Sequence, residues 1–108
     1  MDEWVDGIKY RDGVALEAER DIVEARIKEG TVRIGNSAFE QCQKLSEVHI
    51  PEGVLSIGNM AFEDCGSLTS ITLPDSLRCI GNHAFMRSGL TAISIPQHVV
   101  SIPFYAFP

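Results

Sequence analysis

Apolar and polar positions alternate in short bursts along this chain, and the bursts return on a fixed interval. Val48 and Ile50, Ile71 and Leu73, Ile93 and Ile95 each flank one polar residue, the period of two expected of a half-buried strand. A proline follows each burst, at Pro51, Pro74 and Pro96. Farther on, Gly35-Asn36-Ser37-Ala38-Phe39 recurs as Gly58-Asn59-Met60-Ala61-Phe62 and again as Gly81-Asn82-His83-Ala84-Phe85, at an interval of 23 residues both times. Self-similarity at a period of about 20–50 residues marks a repeat array.

Aligned on that interval, the copies read L-x-x-I-x-I-P-x-x-V-x-x-I-G-N-x-A-F-x-x-C-x-x and span 22–44, 45–67, 68–89 and, in part, 90–108. The first copy is the weakest, with Ala25, Lys28 and Thr31 where the others carry a valine or isoleucine, a proline and an aliphatic. The third is one residue short near Ser88, and the fourth has Pro103 and Phe104 in place of Gly and Asn. Each conserved spacing has a physical task. In-register copies place one strand each about 4.8 Å apart in a parallel ladder. Proline lacks the donor that would extend the pairing. The glycines suit a corner that needs positive φ or close backbone approach. The asparagines hydrogen-bond the turn backbone or one another down the stack. Phe39, Phe62 and Phe85 should form an aromatic column, each worth about 1.5–3 kcal/mol by burial.

Residues 1–21 stand outside this pattern and are expected to cap the first copy. Asp12-Gly13 lies between alternating runs at Ile8–Tyr10 and Val14–Ala18, a strong hairpin signal. The alternation places Ile8 with Tyr10 on one face, and Val14, Leu16 and Ala18 together on another. A helix over 14–27 is the competing reading, since Ala, Leu, Glu and Arg all favour one. It ranks lower because a hairpin would cover the array's first layer.

The repeat unit resembles the BspA-like leucine-rich repeats, through Ile-Pro-x-x-Val-x-x-Ile-Gly-x-x-Ala-Phe-x-x-Cys as it stands in 22–107. Asp6-Gly7-Ile8-Lys9-Tyr10 is similar to a hairpin segment found in such arrays. The resemblance implies a leucine-rich-repeat solenoid, mainly β, with one strand per repeat and little helix. It further implies a binding surface in place of catalysis, and a surface or secreted protein active in adhesion. Met1–Asp6 has neither the basic start nor the apolar stretch of a signal peptide.

Composition narrows the partners. The 108 residues carry a net charge of −6, the opposite of the basic footprint that nucleic acid or anionic lipid requires. Eight of the 15 acidic residues precede Ala25, and such a run is ordinarily a solvated surface. No apolar run approaches the roughly 20 residues of a membrane span.

Little in the chain suggests chemistry. His49, His83 and His98 occupy different repeat positions, so they do not converge as a zinc site would demand. No cofactor loop is present. Cys42 and Cys65 share one repeat position; a disulfide between layers is conceivable, but free buried thiols fit better with an odd total of three. Cys79 is expected to face solvent.

What remains is surface. Outward strand positions form two columns: Glu24, Glu47, Ser70 and Ala92 in one; Arg26, His49, Thr72 and Ser94 in the other. This face is charged near the N-terminus and small and neutral beyond, and it is the candidate surface for a protein partner. A carbohydrate-binding module would place aromatics there, and a structural spacer would need no ligand. Phe104, Tyr105 and Phe107 crowd the last layer, where exposed apolar surface invites end-to-end dimerisation, unless the array continues.

Overall fold

The computed structural model describes residues 1–100, 102, 103 and 105–107. Among them all regular structure is strand: β1 (Glu3–Val5), β2 (Ile8–Arg11), β3 (Val14–Ala18), β4 (Glu24–Arg26), β5 (Arg33–Ile34), β6 (Glu47–His49), β7 (Ser56–Ile57) and β8 (Cys79–Ile80). None of the described residues forms a helix long and apolar enough to cross a membrane.

Two Asp-Gly turns build the N-terminal segment. Asp12 and Gly13 have φ of 50° and 79°, and Asp6 and Gly7 have 51° and 82°, so both loops have the paired positive φ of a type I′ hairpin turn. The result is a three-stranded meander, with Val5 opposite Ile8 and Arg11 opposite Val14. The expected face of β3 is wrong by one step. Lys9 pairs with Glu17 but Tyr10 pairs with Ala15, leaving Leu16 as a bulge residue. One extra residue reverses the alternation, so Ala18 is buried as expected but is joined by Ala15, while Val14 and Leu16 are half-buried.

β3 then continues directly into the repeats. It pairs in parallel with β5, which pairs with β7, which pairs with β8, completing a six-stranded sheet. Each of the first three copies therefore contributes a short strand just before its glycine, in addition to the expected strands at Glu24–Arg26 and Glu47–His49. The expected ladder exists on the other side but is short. β4 and β6 pair with Glu24 opposite Glu47, Ala25 opposite Val48 and Arg26 opposite His49, while Ser70–Thr72 is not a strand. Side chains take over from main chain at that junction. The Glu52 carboxylate accepts from the backbone of Asp75 and Ser76, and the Ser76 hydroxyl accepts from Gly53 N–H and donates to Val54 O.

A third set of contacts joins the copies without any strand. Along 35–42, Ala38, Glu40 and Cys42 donate backwards within their own turns, to Gly35, Ser37 and Phe39. The intervening Ser37, Phe39 and Gln41 donate instead to Asn59, Ala61 and Glu63 of the next copy. Met60, Phe62 and Asp64 do the same to Asn82, Ala84 and Met86. Dividing alternate N–H groups in this way satisfies the backbone and excludes a helix, which would claim all of them. It also needs left-handed backbone at Ser37, Gln41, Met60, Asp64, His83 and Arg87, with φ between 57° and 63°. The repeat glycines have a different task. A Cβ on Gly58 would lie 2.6 Å from Asn36 N, and one on Gly81 2.5 Å from Asn59 N, so it is close approach that requires them. Next to each, Asn36 Oδ1 accepts from Asn59 N–H and Asn59 Oδ1 from Asn82 N–H, both at 2.8 Å.

The core is a single stripe through the stack. Phe39, Phe62 and Phe85 are fully buried and lie face over face, with centroids 5.1 and 5.4 Å apart and planes within 4°. Phe107 extends the column below Phe85 at 5.5 Å. Ile34, Ile57 and Ile80 form a second apolar file, and Leu45 and Leu68 begin a third. The divergent first copy is fitted to its neighbour: Lys28 retains an N–H that proline would lack, and the Tyr10 hydroxyl accepts it at 3.0 Å. Thr31 is less well accommodated, buried with Oγ1 lacking a partner.

Candidate functional site

The strand β4, its partner β6 and the segment after Leu68 present the two side-chain columns. Glu24, Arg26, Glu47, His49, Ser70, Thr72 and Ser94 are all exposed. Parallel register sets like positions side by side, so the acid of one copy stands next to the acid of the next. An open groove of about 750 Å³ runs between 46–52 and 70–75, where the ladder gives way to side-chain bridges. Arg26, Glu47, His49, Ser70 and Thr72 line it. Ser94 lies on a smaller adjoining depression with Thr72.

Electrostatics organise the N-terminal end of this face. Glu24 Oε2 accepts from Arg26 Nη2 at 2.8 Å and approaches His49 Nε2 at 2.9 Å, and Glu47 Oε2 stands 3.4 Å from the same nitrogen. Comparing the three histidines only with one another misses this set, because the partners of His49 are carboxylates that strand register delivers. Farther along, Ser70, Thr72 and Ser94 add exposed hydroxyls and no charge. No aromatic side chain occupies either column.

The cysteines are free. Cys65 Sγ donates to Phe39 O at 3.1 Å, and burial pushes its thiol up to about 12; burial also pushes Cys42 up to about 11. Cys79 is exposed on β8. At the C-terminal end, Phe107 is half-buried in the aromatic column and Tyr105 is exposed, its ring 5.4 Å from that of His83. Phe104, expected to join them in self-association, lies outside the described residues.

The pattern of the BspA type Leucine rich repeat region matches residues 16–108 in six copies, beginning inside β3. A leucine-rich repeat protein from Bacteroides ovatus has a crystal structure similar over 91% of this chain, at 34% identity and a TM-score of 0.75. The match takes in 27% of that protein, so this chain spans about a quarter of its length. A leucine-rich repeat protein from Bacteroides capillosus shares the fold over 85% of this chain and 96% of its own, at 21% identity and a TM-score of 0.58. No protein of curated function matches the chain.

Proposed function

Because the chain belongs to the BspA-type leucine-rich repeat family, we propose that it is a non-catalytic protein-binding module, a solenoid capped by its N-terminal meander. The partner docks on the face carrying Glu24, Arg26, Glu47, His49, Ser70, Thr72 and Ser94. One observation carries this reading: all seven side chains are exposed on one face, and Arg26, Glu47, His49, Ser70 and Thr72 line an open groove of about 750 Å³. Stacked repeats offer extended surfaces of this kind. A protein surface supplying both charges at one end and hydrogen-bonding groups at the other would complement it. Adhesion at a cell surface or in the secreted space is the setting that fits such a module.

A structural-spacer reading is favoured by one fact, that a similar protein is several times longer than this chain. Binding the chain to immobilised extracellular-matrix proteins and glycans separates the two. The expected result is a protein ligand whose retention falls at least about tenfold, or about 1.4 kcal/mol, in Glu47→Lys/His49→Ala. Retention unchanged by that pair would place the interface elsewhere, and no retention of any protein would favour the spacer.

A further inference from the structure

Glu24 and Glu47 stand directly opposite each other in a parallel pair, an arrangement of like charges that destabilises a sheet. His49 faces both. The three offer one ligand atom each, all within 4.8 Å of one another. From this geometry we propose a divalent transition-metal site, with zinc as the fitting ion, held by Glu24, Glu47 and His49.

The donor set is one imidazole nitrogen and two carboxylate oxygens, hard-to-borderline ligands that suit zinc. Metal–ligand bonds of about 2.0–2.2 Å in a tetrahedron imply donors roughly 3.4 Å apart. The separations here bracket that edge: 2.9 Å from His49 Nε2 to Glu24, 3.4 Å from His49 Nε2 to Glu47, and no pair beyond 4.8 Å. All three side chains are exposed, and turning them toward one centre is the rearrangement the site requires. Three protein ligands leave a fourth position to water, so the site is open, on the rim of the groove.

Arg26 is the built-in competitor. Its guanidinium already neutralises Glu24 at 2.8 Å, and the metal must displace it. That contact gives the proposal a signature which a random acidic surface lacks, because removing a positive charge should tighten the site.

The test is isothermal titration of the untagged full chain with zinc chloride, which requires no partner and so stands or falls apart from the proposed protein-binding role. One zinc per chain is expected. His49→Ala and Glu47→Gln should each weaken binding by about tenfold or more, since even outer partners of a metal cost that much. Arg26→Ala should strengthen it severalfold, while Cys79→Ser and His98→Ala should leave it unchanged. All five positions are exposed, and circular dichroism would verify that each variant folds. No binding by the parent chain, undiminished binding by His49→Ala, or loss in Cys79→Ser would each overturn the assignment.

Discussion

Removing one ring from the middle of the aromatic column tests whether the stack holds the repeats together. Phe62 is fully buried and has a parallel ring on each side, Phe39 at 5.1 Å and Phe85 at 5.4 Å. In Phe62→Ala the lost transfer free energy is about 1.5–3 kcal/mol. Two ring pairs at about 0.5–1.5 kcal/mol each add to it. The total falls near the about 3–5 kcal/mol typical of buried phenylalanine truncation. Phe107 provides an internal comparison: it is half-buried with one stacked neighbour, so Phe107→Ala should cost about half as much. Urea unfolding followed by circular dichroism measures both. A domain stability of about 5–15 kcal/mol leaves room to observe the larger loss, and Phe62→Leu, which keeps most of the burial, provides a milder step if Phe62→Ala does not fold. Equal losses at the two positions, or less than about 2 kcal/mol at Phe62, would refute the account of the column as the main cohesive element.

Two further outcomes follow from buried groups. Thr31→Val should stabilise the chain by about 1 kcal/mol in the same urea assay, because it removes a buried hydroxyl without a partner at a position where other copies carry Val54 and Leu77; a loss of stability would mean that the hydroxyl is satisfied in solution. Burial raises the folded-state values of Cys42 and Cys65 to about 11 and about 12, so the neutral thiols favour the fold. Their contribution is complete below the ordinary thiol value of 9.0 and declines as pH rises toward 11–12. Native alkylation at pH 8 should therefore modify Cys79 alone, with all three reacting in denaturant, and mass spectrometry counts the adducts; rapid native labelling of Cys65 would contradict the burial.

Some of this architecture was legible in the sequence because identical side chains at identical intervals must stack if the copies do. The phenylalanine column, the asparagine file and the Asp12-Gly13 turn follow from that logic or from local turn chemistry. The bulge at Leu16 could not be read, because alternation favours Val14 and Leu16, and only the pairing of Tyr10 with Ala15 decides otherwise. β5, β7 and β8 have two residues each, too few to show periodicity; they are strands because a neighbour pairs with them. Left-handed backbone at Met60 runs against side-chain preference and accompanies its N–H bond to Asn82 of the next copy. The groove face itself was read correctly as exposed, but the meeting of Glu24, Glu47 and His49 depends on strand register, and their closeness on a diagonal reach between side chains.

The division of N–H groups along 35–42 places a counting rule on the chain. Inserting or deleting a single residue there would exchange the two sets: donors committed to their own bend would point at the neighbouring coil, and the reverse. A change of two would restore the donor phase but displace the left-handed positions, which recur every four residues at Ser37 and Gln41. Length can vary freely only where no such bookkeeping operates, and the one shortened copy lost its residue near Ser88, just past the last amide of the alternating run.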